Sequence, residues 1–174
     1  PLEAVEFMTT VKRENKPVRA ASNGMRILGI DPGTSLIGWG AIDDLKAVDY
    51  GTCRTQSNIH NRDRVADVYD FFAKLIKKHH PDVVALETLF FFKNAKTVMQ
   101  VSEIRGVLLL VAAHHGVEVR EFTPLQVKQA ISGYGRADKV AVQTMVKLVL
   151  GLKETPKPDD VADALALAIC CANT

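Results

Sequence analysis

The connectors between residues 25 and 55 are too short to carry the chain across a sheet. Three apolar runs, 25–31 (MRILGID), 36–43 (LIGWGAID) and 46–55 (KAVDYGTCRT), are separated only by Pro-Gly-Thr-Ser and by an Asp43-Asp44 turn signal. Strands joined so tightly pair antiparallel. The period then changes. Residues 61–80 (NRDRVADVYDFFAKLIKKHH) set Val65, Val68, Phe72, Leu75 and Ile76 at helical spacing, with Asn61 as a candidate N-cap and Pro81 as the stop. A strand at 82–87 (DVVALE), a long helix at 96–115 closed by Gly116, and a strand at 117–122 follow. Helices at 124–132, about 138–150 and 159–172 complete the pattern. The order describes an α/β domain with a mixed five-stranded sheet flanked by helices.

A chain of 174 residues accommodates one ordinary domain with a sizeable core, here 25–174. No apolar run reaches the length of a membrane span. The first 24 residues lack the apolar segment of a signal peptide and mix charge with Thr, Ser, Asn and Pro. They read as a flexible extension or an expression remnant, with Met8 or Met25 as natural starts. Cys53, Cys170 and Cys171 show no metal-ligand spacing and read as reduced, buried thiols of an intracellular protein. A net charge of +2 permits a nucleic-acid partner only where basic residues cluster on one face.

Two strands end in carboxylates. Asp31 follows Ile-Leu-Gly-Ile, and Glu87 follows Val-Val-Ala-Leu. An ionised acid at the rim of a core is costly unless something positive sits beside it. Asp31 before Pro32-Gly33 could simply start a turn. In α/β sheets, however, ligands collect at the carboxyl ends of parallel strands, where Asp31 and Glu87 become neighbours if their strands pair. The segment PDDVADALALAI adds Asp159, Asp160 and Asp163 at a helix start, with Asp160 and Asp163 on one face. Asp159 and Asp160 could serve only the helix dipole. Asp163, within an Ala/Leu-rich run, has no such excuse. Small side chains at Ala162, Ala164, Ala166 and Ala168 let this helix press on the sheet. Four gathered acids repel, and one or two divalent cations are the simplest remedy. Hard oxygen ligands without His or Cys suit Mg²⁺ or Mn²⁺ rather than Zn²⁺.

Taken together, ILGIDPG, ALETLFFFKNA, QVKQAISGYGRADK and DDVADALALAI, in this order and spacing, resemble the RuvC family of Holliday-junction resolvases from about Met25 onward. The resemblance implies a ribonuclease-H-like fold and a homodimer that makes two symmetric nicks in four-way DNA junctions during recombination and repair. It implies that Asp31, Glu87, Asp160 and Asp163 are catalytic and hold two Mg²⁺ (or Mn²⁺) ions. Asp159 has no counterpart in the motif, although a register error of one residue would exchange it for Asp160. Cleavage would leave 5′-phosphate and 3′-hydroxyl ends. The RuvA and RuvB branch-migration proteins would be partners, and the cytoplasm the location.

By the same resemblance, Lys128 and Lys139 lie near the cut phosphate, although a surface Lys on a helix is ordinary. Arg136, in the Gly-rich loop between them, could approach a DNA backbone. Three consecutive aromatics, Phe90-Phe91-Phe92, cannot all point into one core, and Phe90 matches the family position credited with wedging unpaired bases. The helix 96–115 is apolar over most of its circumference, which suggests a second buried face at a subunit contact. His79-His80 and His114-His115 read as contacts with helix C-terminal carbonyls rather than as metal ligands. Trp39 stands where the family pattern leads one to expect tyrosine.

Rival readings remain at this level. An actin-like ATPase or sugar kinase also begins with a strand, Asp and a Gly-Thr turn, but clamps its nucleotide with a second domain and lacks the D-x-x-D-A-L-A helix. A ribonuclease-H-like nuclease with another nucleic-acid substrate, or a junction-binding module without cleavage, would share the fold.

Overall fold

A computed structural model describes residues 24–55, 60–88, 95–133, 135 and 137–174, the side chains of 95–97 excepted. The aromatic triplet at 90–92, Lys93, Asn94 and Arg136 lie outside the described residues, as does the segment 1–23. Strands β1 (Arg26–Asp31), β2 (Leu36–Asp43) and β3 (Lys46–Arg54) form the expected antiparallel meander. The β2–β3 hairpin turns through Asp44 and Leu45, both at positive φ, as a two-residue turn between twisted strands requires. Helix α1 (Asn61–His79) leads to β4 (Val83–Glu87), which pairs parallel with β1. Helix α2 (Ala95–His114) leads to β5 (Glu118–Phe122), parallel to β4. Helices α3 (Pro124–Ser132), α4 (Lys139–Val149) and α5 (Asp159–Ala172) close the chain. The sheet order is β3-β2-β1-β4-β5.

Each face of the sheet carries its own core, and the period-2 alternation of the strands assigns the residues. Leu28, Ile30, Ile37, Trp39, Val84 and Leu86 pack under α1 and α2. Ile27, Ile42, Val83 and Ala85 pack under the C-terminal helices. That second face is unusually close to α5, because Gly29, Gly38 and Gly40 all present backbone to it. A Cβ at Gly29 would collide with the Ala164 carbonyl oxygen and lie 2.9 Å from the Ala168 amide nitrogen. A Cβ at Gly38 would strike the backbone carbonyl of Asp160. Small residues on both surfaces therefore let helix and sheet meet backbone to backbone.

Several local expectations are corrected. Asn61 is the first residue of α1 rather than its cap; the N-cap is His60, and the Asn61 amide donates instead to Glu103 Oε2 at 2.8 Å. Of the histidines, His115 does contact a helix carbonyl, with Nδ1 2.9 Å from Val111 O. His114 Nδ1 instead meets the Tyr69 hydroxyl at 2.8 Å. His79 is buried beside Trp39, with Nε2 3.2 Å from Asp49 Oδ2. Burial pushes its pKa down. Trp39 also packs on Phe71, which gives the larger ring its place. The three cysteines are buried and free.

Helix α2 buries Ile104, Leu108, Val111 and Ala112 against the sheet and α1. Its opposite side leaves Met99 68%, Leu110 48% and Leu109 36% exposed. The apolar excess noted in the sequence is thus on the outside of the chain. Among the described residues, no helix is long and apolar enough to cross a membrane.

Candidate active site

Counting by twos along the strands explains why the acids meet. Ile27, Gly29 and Asp31 share the α5 face of β1, and Val83, Ala85 and Glu87 share that face of β4. The strands are parallel neighbours, so both carboxylates emerge at the same edge. Helix α5 then brings Asp163 over them, because the glycines beneath it allow close approach. A cavity of about 240 Å³ is lined by Asp31, Glu87 and Asp163, with Lys128 of α3 and Lys139 of α4 beside them. Val127 and Val142 form part of its apolar wall. Helix α3 is fixed by a capping box, in which Gln126 N–H donates to Thr123 Oγ1 at 3.2 Å and Thr123 N–H donates to Gln126 Oε1 at 2.8 Å. Helix α4 is capped by Asp138, whose Oδ1 accepts from Ala141 N–H at 2.7 Å.

Asp160 does not line this cavity; it sits one turn before Asp163, its backbone over Gly38, and its charge reaches Asp31. The Asp31 carboxyl is pushed up to about 7, first by burial and then by the like charges of Asp163, Glu87 and Asp160. Burial and Asp163 also raise Glu87. Burial raises Asp163, against the lowering influence of Lys139. Asp159 behaves in the opposite way: hydrogen bonds from Lys139 and Gln143 hold its carboxyl below the usual range. Its charge is absent from the influences that raise Asp31.

Among the described residues, no three His, Cys, Asp or Glu side chains already converge as a ready-made ligand cluster. Lys139 Nζ stands 3.5 Å from Asp163 Oδ2 and offsets part of the negative charge gathered there. The donor set nevertheless fits a hard divalent cation, since all its atoms are carboxylate oxygens and the charge of Lys139 does not offset the burial and like charges that raise Asp31. Gln143 was not singled out in the sequence, nor was the glycine floor. The Gly38-x-Gly40 alternation on β2, next to an alanine-rich helix, was the available signal for the latter.

The sequence profile of crossover junction endodeoxyribonuclease RuvC matches residues 27–171. This chain belongs to the RuvC family. The RuvC crossover junction endodeoxyribonuclease of Caldicellulosiruptor saccharolyticus is 50% identical over 151 residues, which cover 84% of this chain and 91% of that one. The Thermus thermophilus RuvC structure superposes with a TM-score of 0.80 at 32% identity, covering 86% of this chain and 94% of that one. T. thermophilus RuvC in complex with Holliday junction substrate gives a TM-score of 0.79 at 34% identity, covering 86% and 93%. The five-stranded mixed sheet is accordingly the ribonuclease-H-like sheet of RuvC, and the chain is a nuclease of that family.

Proposed function

We propose that this RuvC-family chain resolves four-way DNA junctions by paired, symmetric phosphodiester hydrolysis in recombination and repair, with residues 25–174 acting as one nuclease unit. The observation that carries the reading is the meeting of Asp31, Glu87 and Asp163, from three distant stretches, at one cavity flanked by two lysines. Asp31, Glu87, Asp160 and Asp163 would hold the metal, which we take to be two Mg²⁺ ions, with Mn²⁺ as a substitute. When bound, such ions activate an attacking water and stabilise the leaving 3′ oxygen. Lys128 and Lys139 supply positive charge beside the phosphate. Val127 and Val142 exclude bulk water from one side of the cavity, which strengthens those interactions. The P–O3′ bond breaks as the water oxygen bonds to phosphorus, so the products carry a 5′-phosphate and a 3′-hydroxyl. Phe90 and Arg136 complete the proposal, as the base wedge and a backbone contact. RuvA and RuvB are the proposed partners, and the cytoplasm the compartment.

Purified protein with Mg²⁺ is expected to convert a synthetic four-way junction into nicked duplexes that DNA ligase seals, while a linear duplex stays intact. Preferential cutting of an RNA–DNA hybrid would point instead to a ribonuclease-H-like enzyme with another substrate. Binding of the junction with no product would leave a recognition module.

A homodimer would pair two such sites across a nearly symmetric junction. The exposed stripe of Met99, Leu109 and Leu110 on α2 is the surface we assign to the contact. Changing Leu109 and Leu110 together to Lys is expected to shift the mass seen by light scattering from dimer to monomer and to convert paired cuts into single nicks. An unchanged dimer would place the contact elsewhere.

A further inference from the structure

Helices α4 and α5 present matched pairs of side chains to each other. Lys139 and Gln143 are four residues apart on α4, and Asp159 and Asp163 are four apart on α5, so each pair shares a helix face. Lys139 Nζ lies 3.2 Å from Asp159 Oδ2 and 3.5 Å from Asp163 Oδ2. Gln143 hydrogen-bonds Asp159 as well. One ammonium is therefore shared by two carboxylates with different surroundings. Asp163 lines the cavity with Asp31 and Glu87, whereas Asp159 is exposed and does not line it.

A divalent cation that takes Asp163 as a ligand competes with Lys139 for the same carboxylate. Asp159 offers the displaced ammonium a second seat, so leaving Asp163 does not leave Lys139 unpaired. We propose that Asp159 is a positioning residue for Lys139: it retains the ammonium beside the cavity when Asp163 turns to the metal, and Gln143 holds Asp159 in the required orientation. Lys139 is thereby kept where a substrate phosphate arrives instead of collapsing onto Asp163. The inference rests on the metal-dependent hydrolysis proposed above. It also separates Asp159 from Asp160, which the sequence alone left exchangeable.

The test is Mn²⁺ affinity of the full chain, measured by electron paramagnetic resonance without DNA. Asp159→Asn removes the second seat at nearly constant shape, and Mn²⁺ binding is expected to weaken about fivefold, the scale of one partly exposed ion pair. Asp159→Glu should restore affinity, since it can reach Lys139 again. In a Lys139→Gln background the Asp159→Asn change should have no effect on Mn²⁺ affinity. Equal weakening in both backgrounds would mean that Asp159 acts only as a distant negative charge and would overturn the proposal. Unaltered affinity with a lowered melting temperature would reduce Asp159 to a helix-dipole residue and overturn it too. Unaltered chain that takes up no Mn²⁺ at all would overturn the metal reading itself, and this proposal with it.

Discussion

Asp31→Asn is expected to bind a four-way junction as tightly as the unaltered chain while cutting it at least about 10³-fold more slowly. The scale follows from losing several kcal/mol of metal-borne stabilisation, at 1.36 kcal/mol per tenfold in rate. Asparagine keeps the shape at the end of β1 but offers one neutral oxygen where the site supplies an anionic one. The same variant has a second signature in protein stripped of metal. Burial and neighbouring acids raise the Asp31 carboxyl from its ordinary 3.8 to about 7. In that window the folded protein holds a proton that the unfolded chain has lost, so stability falls as pH rises through it. The loss is on the order of a few kcal/mol and is complete above the folded value. Thermal melts in EDTA should therefore show a smaller drop between about pH 5 and about pH 8 for Asp31→Asn than for the unaltered chain. Unimpaired cleavage would exclude Asp31 from the catalytic set, and an identical pH slope would show that its carboxyl is not the strained one.

Gly29→Ala is expected to be strongly destabilising for the addition of a single methyl. Its Cβ would run into the Ala164 carbonyl oxygen and sit 2.9 Å from the Ala168 nitrogen. Both are backbone atoms of α5 and cannot swing aside, so helix or strand must move as a unit. Overpacking of this kind costs about 3 kcal/mol, and at 2–4 °C per kcal/mol the melting temperature should fall by about 10 °C. Activity should suffer as well, because Asp31 lies two residues along the same strand face and Asp163 precedes Ala164. A shift of about 1 Å among reacting groups can lower a rate about 10²-fold. Gly106→Ala, made in the Leu109→Lys, Leu110→Lys background that removes the proposed dimer contact, is the matched control: nothing of the chain lies within 4 Å of a Cβ there, and the added helix propensity should raise stability by up to about 1 kcal/mol. Differential scanning calorimetry of both variants, each against its own parent, decides the matter, and equal shifts in melting temperature would show that α5 is not seated on Gly29.

The sequence made the scaffold legible because its signals there are local. Short turns demanded antiparallel pairing, helical spacing marked α1, and two strands ended in acids. It also directed attention to Asp31, Glu87 and Asp163, which the fold brings to one cavity. Asp160 was harder, since a run of Asp159-Asp160 looks the same whichever of them turns inward. Only the docking of α5 against β2 and α4 separates them, sending Asp159 to Lys139 and Gln143. Gln143 was invisible for the same reason: an uncharged side chain acquires meaning only from a partner on another helix. The role of α2 lay between these cases. Its composition announced a surplus apolar face, but which residues formed it depended on how the helix sits on the sheet.

The order in which the acids occur along the chain has a consequence for biosynthesis. Asp31 and Glu87 are made early, whereas Asp160 and Asp163 belong to the 14-residue helix α5, which follows the other described elements along the chain. Until that helix settles onto β1 and β2, the growing polypeptide owns a sheet with two isolated carboxylates and no enclosed cavity. On the site assignment proposed above, cutting would begin only after α5 has docked, and a product terminated before α5 is expected to bind DNA without cleaving it.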